Sequence, residues 1–572
     1  MADEIAVGIG TIIVLGVVAQ LMAKRLGLPA ILFLLVAGVV AGPALGLVDS
    51  DEIFGDALFP IVNLGVGLLL FQGGMELDFR KLSDRSVLPR LLTVGVIATA
   101  VLVTLAVVVL FDFTTGESAI LGAVLIVSGP TVVIPLLETA RVKQPVDGIL
   151  RAEGIFIDPI GAAIGYVTLQ VVLTSNGDDK GLLAIVAIGI GIGVVLAVLL
   201  LLMLRNFLVP DEYEMALGIT FAVIAVTVAD AVVSESGFFA ATVLGVALAN
   251  QRKTTIEPIM RFGETLNVFV IGALFVMLAA RVDLSAVWDV AGRTAILVVL
   301  MVVVIRPITI ALCTTPSALS FKERFYLAAI APRGIVAAAT SSLFAITLQQ
   351  NGEPFDELVP VTFGVIFLTA LLVTFGAVPL ARILGLRRPD PFGVAMIGWD
   401  RWMVDLGRAL HGLGVPVVMI APGAAALEDL SDVPFRVLLE MPGGEELEEV
   451  RDVAADALIA TDDAGFNRGI AAAGVASLGR AHVHLVPLHD VAGRVGGPSS
   501  TVRTPFAGRR LLPDLRRDGA VRVIGPGEPV DIATTTILAR VRTHAGEAPR
   551  VDLHPEVAPA RPDESLIVLA PA

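Results

Sequence analysis

Three charged residues lie in apolar stretches of the chain, where a charge needs a partner. Glu153 and Asp158 fall in one apolar run, and Arg333 falls in another. A charge in the middle of a membrane-length helix costs about 3 kcal/mol or more unless it is paired or hydrated. The two acids are five residues apart, which separates them by about 140° around a helix. They therefore cannot share one partner on one helix face.

The spacing predicts different roles for the two acids. A permanently charged Arg333 guanidinium would keep Glu153 ionised and leave Asp158 free to bind either a proton or a metal ion. A carboxylate that takes one ligand or the other, but not both, is the minimal device for exchanging ions across a membrane. The alternative is a structural charge cluster that fixes the helices. That alternative explains Glu153 with Arg333, but it leaves Asp158 without a partner.

Two apolar runs are interrupted by residues that break helices. The fifth predicted span contains Gly129 and Pro130, and the twelfth contains Pro332 and Gly334. Proline in mid-span removes a backbone hydrogen bond, which lipid tolerates only where the freed groups face protein, water or an ion. Spans an odd number apart run in opposite directions, and equivalent broken helices in inverted halves indicate a transporter site at the midplane. The alternative is two unrelated proline kinks.

The elements that position these residues are membrane spans. The 572 residues have a mean hydropathy of +0.86 and only 17% are charged, whereas soluble domains carry about 25% charged residues. The apolar residues form runs of about twenty, the length that crosses a bilayer. About thirteen spans are predicted, over residues 5–23, 28–48, 56–75, 88–112, 117–140, 148–174, 182–204, 213–233, 236–250, 263–281, 288–313, 323–348 and 357–384.

The loops between the spans alternate in charge, and this predicts the orientation. One set is basic and contains Lys24, Arg141, Arg205 and Lys322, so the positive-inside rule places it in the cytoplasm. The N-terminus is then outside and the C-terminus inside, which agrees with an odd number of spans. The net charge of −15 without a basic block argues against nucleic acid as a partner. The single cysteine, Cys313, excludes an intramolecular disulfide.

Residues 5–385 resemble the monovalent cation:proton antiporter-1 family, the NhaP-type sodium/proton antiporters. Residues 71–74 (Phe-Gln-Gly-Gly) resemble the family's Phe-Glu-Gly-Gly, residues 128–130 stand at its Thr-Asp-Pro, and residues 332–334 are similar to its Leu-Arg-Gly. Glu153 and Asp158 stand at the family's Glu and at the Asp of its Asn-Asp pair. The resemblance implies a polytopic α-helical membrane fold of about thirteen helices, with inverted repeats and two broken, crossing helices.

The same resemblance implies an elevator-like exchange of Na⁺ or K⁺ for H⁺. It assigns Asp158 as the exchanging carboxylate, which is the ligand of the transported metal ion, and it pairs Glu153 with Arg333. The family also implies a homodimer.

The sequence departs from the family at three supporting positions. Gln72 replaces a glutamate, Gly129 replaces an aspartate and Ile157 replaces an asparagine. Ser128 and Thr131 would then assist the exchanging carboxylate, through side-chain oxygens or carbonyls freed at the break. We hypothesise that a site with fewer charges prefers K⁺, which loses its hydration shell more easily.

Two other charged residues lie in apolar runs. Arg306 precedes Pro307 in the eleventh span, and we expect it to stabilise helix packing and backbone carbonyls rather than contact the ion. Asp230 lies near the outer end of the eighth span, and we expect it to be a solvated helix cap.

Beyond residue 388 the composition predicts a soluble, cytoplasmic tail. Strand-like runs at 394–398, 417–421, 457–461 and 483–487 alternate with helical patterns near 402–413 and 445–453. This alternation is typical of a parallel α/β domain, here over residues 389–495. A Gly/Pro/Ser-rich link at 496–500 opens a smaller β-rich subdomain over residues 496–572, with strands at 521–524 and 566–570.

The tail resembles the nucleotide-binding regulatory domains of the RCK or TrkA-N type. Its first strand ends at Gly398, but Asp400 and Met403 occupy the second and third glycine positions of a G-x-G-x-x-G motif. Asp400 would repel a pyrophosphate, and Met403 would obstruct the close approach of helix and strand. Ala421 stands where a ribose-binding acid is expected. We expect a degenerate Rossmann-like domain used for dimerisation or gating, with no NAD or other cofactor.

The leading function is secondary antiport of a monovalent cation against H⁺, by a homodimer among the lipids of the cell membrane, without enzymatic catalysis. One alternative is a cation channel gated by the tail, although no repeated carbonyl ladder of the selectivity-filter type is present. A second alternative is a nucleotide-dependent membrane enzyme, which the damaged glycine motif disfavours.

Overall fold

The chain folds into two compact units, residues 1–388 and residues 389–572, each with its own buried apolar clusters. The computed structural model describes residues 2–26, 28–77, 79, 86–173, 181–251, 254, 256–422, 433–441, 450–479, 481–487, 512–517, 520–526, 528, 535–543, 548–553 and 561–569.

The first unit is built from helices. They are α1 (Ala2–Leu26), α2 (Ala30–Val39), α3 (Ser50–Phe54), α4 (Leu58–Met75), α5 (Val87–Arg90), α6 (Val96–Leu110), α7 (Thr115–Val124), α8 (Pro130–Ala140), α9 (Val146–Leu173), α10 (Leu182–Arg205), α11 (Glu214–Val232), α12 (Ser236–Asn250), α13 (Glu257–Ala279), α14 (Leu284–Leu300), α15 (Arg306–Thr314), α16 (Phe321–Ala329), α17 (Ile335–Gln350) and α18 (Leu358–Leu384). Wider π-helical turns extend α2 and join α5 to α6 and α14 to α15.

The described helices account for every predicted span. In the part of the chain that the structure describes, nine helical segments are long and apolar enough to cross a membrane. Four shorter apolar helices occupy the remaining predicted spans: Ala30–Ala44, Pro130–Ala140, Ser236–Asn250 and Ile335–Gln350. Two of these four are the second halves of broken spans, in which α7 precedes α8 and α16 precedes α17. The predicted polytopic helical fold with two broken helices is therefore confirmed.

Both breaks fall where the sequence places helix-breaking residues. After α7 ends, Gly129 takes an extended conformation and Pro130 begins α8. Proline suits this first position because the N–H that it lacks would have no helical partner there. In the other broken span the backbone leaves the helix at Ile330, and Gly334 is again extended before α17 begins. Each broken span therefore exposes backbone groups in the middle of the bundle.

The second unit contains two sheets. The first sheet is parallel, with strand order β3-β2-β1-β4-β5. This is the order of the first five strands of a six-stranded Rossmann fold. Its strands are β1 (Gly393–Ile397), β2 (Val417–Ile420), β3 (Arg436–Leu438), β4 (Ala454–Ile459) and β5 (Val483–Leu485), with helices α19 (Arg401–Gly412) and α20 (Ala464–Leu478). Residues of β1 are buried on both faces, which is typical of a parallel sheet covered by other elements.

The second sheet is antiparallel, with order β6-β9-β7-β8. Its strands are β6 (Val521–Ile524), β7 (Thr536–Arg542), β8 (Arg550–Asp552) and β9 (Glu564–Leu569), and a short helix, α21 (Leu512–Arg517), precedes them.

The predicted α/β character of the tail is confirmed. All six predicted strands are present within a few residues, and the predicted helix near 402–413 is α19. Strands β3, β7 and β8 and helices α20 and α21 were not predicted. The predicted helix near 445–453 lies mostly outside the described residues, and the link at 496–500 lies wholly outside them.

Candidate functional site at the crossing of the broken helices

Helix α9 carries Asp158 to the break between α7 and α8. Gly154 lies four residues before Asp158, and Gly161 lies three residues after it. The two glycines therefore share a helix face with Asp158. A Cβ placed on Gly154 would lie 3.6 Å from the Ser128 carbonyl oxygen, and one on Gly161 would lie 2.5 Å from a methyl group of Val127. The two glycines therefore let α9 approach the broken backbone closely, as small residues do between membrane helices.

The two breaks touch each other. A Cβ placed on Gly334 would lie 2.6 Å from the Cα of Gly129, and a Cβ on Gly129 would lie 3.1 Å from the Cα of Gly334. Only glycine allows two backbones to approach this closely, because any side chain would fill the space between them. The broken spans therefore cross at their breaks, as predicted.

Asp158 lies at this crossing with an unsatisfied carboxylate. Its side chain is buried, and Oδ1 has no hydrogen-bond partner. Its other oxygen, Oδ2, is 3.7 Å from the position of a Cβ on Gly129. The hydroxyl of Thr131, also buried and without a partner, lies 3.4 Å from the same position. The Asp158 carboxylate and the Thr131 hydroxyl thus both lie against Gly129, and each has a buried oxygen without a protein partner, which is costly unless a ligand supplies one.

The first turn of α8 adds a favourable field at this carboxylate. Helix α8 begins at Pro130, directly after the break, and a helix N-terminus carries a partial positive charge that stabilises a nearby anion. Within the described part of the chain, no three His, Cys, Asp or Glu side chains form a metal-binding group. The oxygens available at this crossing are therefore those of one carboxylate, of hydroxyls and of backbone carbonyls, a set that would suit a hard cation.

Arg333 caps the end of α7 rather than binding an acid. Its Nη1 donates to the Ile126 carbonyl at 2.8 Å and to the Val127 carbonyl at 3.3 Å. Its backbone N–H donates to the Thr369 hydroxyl at 3.2 Å. A cation near the last carbonyls of a helix is stabilised by the negative end of the helix dipole. Arg333 is also close enough to Asp158 for an electrostatic attraction, so it adds positive charge to the site.

The predicted pair of Glu153 with Arg333 is wrong, because the partner of Glu153 is Arg306. The Arg306 guanidinium donates from Nη1 to Oε1 at 2.5 Å and from Nη2 to Oε2 at 2.7 Å, and both side chains are buried. Parallel guanidinium–carboxylate contacts of this kind are the strongest ion pairs in proteins. Nε of Arg306 also points to the Leu327 carbonyl at 3.4 Å. The pair joins α9 to α15 and α16, which fits the packing role expected of Arg306.

Gln72 and Ser128 lie in different places: Gln72 contacts another helix, and Ser128 lies in the break. The buried Gln72 amide donates to the Met260 carbonyl at 3.4 Å, so its described hydrogen bond is with α13 and not with Asp158. Ser128 is buried within the break, immediately before Gly129. Its carbonyl oxygen faces α9 near Gly154, within one helical turn of Asp158. Ser128 and Thr131 therefore lie on either side of Gly129 in the break that faces α9, whereas Gln72 contacts α13.

Asp230 is a helix cap, but it is not fully solvated. Its carboxylate accepts from the Gly237 N–H at 2.7 Å and from the Asn63 amide at 2.9 Å, and the side chain is half-buried. It thus caps the start of α12 and is linked to α4, whereas the sequence predicts a solvated cap near the outer end of its own span.

The sequence analysis missed Arg306 as the partner of Glu153 and Thr369 as a contact of Arg333. A signal for the first was present, because Arg306 is a second arginine inside an apolar run and two buried acids need more than one counterion. No sequence signal singles out Thr369 among the many threonines of the spans.

In the second unit, the cleft where a Rossmann fold would hold a dinucleotide is occupied by the chain itself. Gly398 ends β1 with φ of 136°, and a Cβ there would collide with the Ala460 carbonyl at 2.2 Å. Met403 is fully buried against this turn. At the mouth of the cleft, the Arg516 guanidinium from α21 donates to Asp400 at 3.0 Å and to Asp462 at 2.9 Å.

These three residues, Arg516, Asp400 and Asp462, form what we call the arginine clasp. It joins the carboxyl ends of β1 and β4, the edge at which ligands bind in open α/β sheets. The hydrogen bond from Arg516 lowers the pKa of the Asp462 carboxyl. The bonds to Asp462 and Asp400 in turn raise the pKa of Arg516. The clasp is therefore charged at physiological pH.

Comparison with known proteins places the first unit in a family. The family model "Sodium/hydrogen exchanger, transmembrane" matches residues 10–383. A probable Na⁺/H⁺ antiporter of Methanocaldococcus jannaschii is 23% identical over 403 residues, which cover 64% of this chain and 94% of the relative. The K⁺/H⁺ antiporter NhaP of Alkalimonas amylolytica is 24% identical over 398 residues, 67% of each chain.

A solved structure has a similar fold. The sodium proton antiporter MjNhaP1 from Methanocaldococcus jannaschii at pH 8 aligns with a TM-score of 0.58 and 24% identity, over 66% of this chain and 97% of that chain. The aligned parts cover 64–67% of this chain, which corresponds in length to the first unit, residues 1–388. The broken, crossing helices and the match of the family model over most of that unit lead to one conclusion. The chain belongs to the sodium/hydrogen exchanger family.

Proposed function

We propose that this protein exchanges a monovalent cation, Na⁺ or K⁺, for H⁺ across the membrane, with Asp158 binding the two ions in turn. The observation that carries this proposal is the buried Asp158 carboxylate with an orphaned Oδ1 at the crossing of two broken helices. Membership of the sodium/hydrogen exchanger family supports the same reaction. The named relatives include both Na⁺/H⁺ and K⁺/H⁺ antiporters, so either cation is a candidate substrate.

The competition between the ions follows from charge. An ionised carboxylate in this buried position is costly, and a proton or a bound cation each removes that cost. Both occupy the same oxygens, so they exclude each other. We expect the cation to bind Asp158 together with the Thr131 hydroxyl and the oxygens of Ser128. If only the neutralised site crosses the membrane, each crossing carries one ion or the other.

The fixed charges keep a second ion from binding. Arg333 and the N-terminus of α8 already supply positive charge beside Asp158. A proton and a cation together would leave the buried site with an excess of positive charge. The Glu153–Arg306 pair is neutral as a unit, so it positions α9 without adding net charge to this balance.

We propose an orientation with the N-terminus outside the cell and the tail in the cytoplasm, in a homodimer at the plasma or inner membrane. The basic loops support the orientation, and the family supports the dimer. We further propose that the tail acts without a dinucleotide. The arginine clasp fills the place of the phosphates and the ribose-binding acid is absent, so the tail would serve dimerisation or gating.

The test is cation-induced dissipation of an imposed pH gradient in proteoliposomes, comparing Na⁺, K⁺ and Li⁺. We expect at least one cation to collapse the gradient with saturation kinetics in the wild type, and none to do so in Asp158→Asn. Asp56→Asn, which changes an exposed acid, is the control and should match the wild type. Cation flux that proceeds without proton movement would instead indicate a channel, and activity in Asp158→Asn would exclude Asp158 as the exchanger.

A further inference from the structure

A second pair of carboxylates lies at the turn between α11 and α12. Asp230 is in the last turn of α11, and Glu235 directly precedes α12. The two carboxylates are close enough to repel each other. The antiport scheme uses neither of them. A pair of acids in a buried turn is costly, so its surroundings indicate what neutralises it.

Asp230 is well satisfied as an anion. One carboxylate oxygen accepts from the Gly237 N–H at 2.7 Å, and the other accepts from the Asn63 amide at 2.9 Å. The Glu235 N–H is a further donor. The N-terminal end of α12 adds its partial positive charge. These contacts hold the Asp230 carboxylate in a fixed position at the turn.

Glu235 is the opposite case. It is only 8% exposed, and its Oε2 is buried without a hydrogen-bond partner. Its side chain does not cap α12, although it occupies the capping position. Its φ of 67° lies in the left-handed region, which non-glycine residues seldom adopt. Strain and an orphaned buried acid at the same residue point to a missing ligand.

The chemistry of the turn limits that ligand. The groups available to a ligand are two carboxylates, which are hard oxygen donors to a metal ion, and the Asn63 amide N–H donates to one of them. Within the described residues no third acid, His or Cys joins them, so the multidentate cage of a divalent ion is not built there. When both acids are ionised, two negative charges face one helix N-terminus and leave an uncompensated negative charge. A single positive ion restores neutrality.

We propose that Asp230 and Glu235 bind a second monovalent cation, Na⁺ or K⁺, at the turn between α11 and α12. The Glu235 Oε2 atom supplies a ligand that no protein donor uses, and Asp230 supplies charge. The Asn63 amide holds Asp230 in place from α4. The bound cation would tie three helices, α4, α11 and α12, and would stabilise the folded protein in proportion to its occupancy.

The test uses full-length protein carrying Asp158→Asn, so that binding at the transport site is removed. Equilibrium binding of ²²Na⁺ and of ⁸⁶Rb⁺, as a stand-in for K⁺, is measured in detergent at about pH 9, where ordinary carboxyls are ionised. We expect one of the two ions to bind saturably to this variant. Adding Glu235→Gln should weaken that binding by about tenfold or more.

The matched control is Glu353→Gln, which neutralises an exposed acid in another turn and should leave binding unchanged. Thermal unfolding without alkali cations verifies that the variants fold, and added cation should raise the Tm of the Asp158→Asn protein but not of its Glu235→Gln derivative.

Absence of cation binding in Asp158→Asn would overturn the proposal. Equal binding in the Glu235→Gln and Glu353→Gln proteins would overturn it too, and so would an effect of Glu235→Gln confined to proton uptake. Exchange activity in Asp158→Asn would contradict the antiport scheme without bearing on this site.

Discussion

At the scale of single residues, the molecule separates the two acids of α9 by giving them different partners. Glu153 has both carboxylate oxygens bound by Arg306, whereas Asp158 has an oxygen with no protein donor. A buried carboxylate bound by two parallel N–H groups stays ionised and fixed. A buried carboxylate without donors is free to take an ion from solution. The difference in partners, and not in residue type, separates the structural acid from the exchanging one.

The pairing of Glu153 predicts a specific coupling. Glu153→Gln or Arg306→Gln alone leaves one buried charge unpaired, so each should lower the free energy of unfolding by about 3–5 kcal/mol. The double variant should be much less unstable than the sum of the two, and thermal unfolding in detergent measures this. The contrast is Glu153→Gln with Arg333→Gln, for which we expect nearly additive effects. A stronger coupling of Glu153 to Arg333 than to Arg306 would contradict the structure.

The hydroxyl beside Asp158 predicts a change in affinity. Thr131→Val keeps the shape of the side chain but removes an oxygen ligand, so the apparent affinity for the transported cation should fall by about tenfold, the equivalent of about 1.4 kcal/mol. Cation-dependent proton flux in proteoliposomes gives this affinity. Thr139→Val is the matched control. Thr139 is exposed on the same helix, and its hydroxyl donates to the Pro135 carbonyl oxygen. Equal affinities in the two variants would remove Thr131 from the site.

At the scale of elements, the crossing depends on two glycines that face each other. Gly334→Ala would place a methyl group 2.6 Å from the Gly129 Cα, and backbone on both sides leaves no flexible neighbour to yield. We expect the breaks to separate and the exchange rate to fall by at least about tenfold, because misplacement of about 1 Å at a reacting site has large effects. Proteoliposome flux measures the rate.

The control for this variant is Gly191→Ala on α10, where a Cβ would meet nothing within 4 Å. That variant should transport like the wild type. If Gly334→Ala also transports at the wild-type rate, the backbone contact at the crossing is not required.

The positions of the elements could be predicted from the sequence to different degrees. The spans and the two breaks were predictable because apolar length and Gly-Pro chemistry act locally. The partner of Glu153 was not, because two arginines in apolar runs were available, and only the tertiary fold places one of them, Arg306, against Glu153. The arginine clasp was not predictable either, since Arg516 and Asp400 are 116 residues apart in the sequence and no local pattern joins them.

At the scale of the whole molecule, the charge of the loops predicts the side of the membrane on which each loop lies. In a Cys313→Ala background, Glu353→Cys should react with a membrane-impermeant maleimide in intact cells. Glu440→Cys, in the tail, should react only after the cells are opened. Both glutamates are exposed, so access through the membrane is the only difference tested. Labelling of the tail cysteine in intact cells would reverse the proposed orientation.

The central claim is that Asp158 gives up a proton when it binds a cation. The most direct measurement is proton release from purified protein in weakly buffered detergent solution when Na⁺ or K⁺ is added, followed with a pH indicator. We predict release that saturates with cation concentration in the wild type and in Asp56→Asn, and loss of that release in Asp158→Asn. Undiminished proton release from Asp158→Asn, or cation binding to the wild type without proton release, would contradict the account.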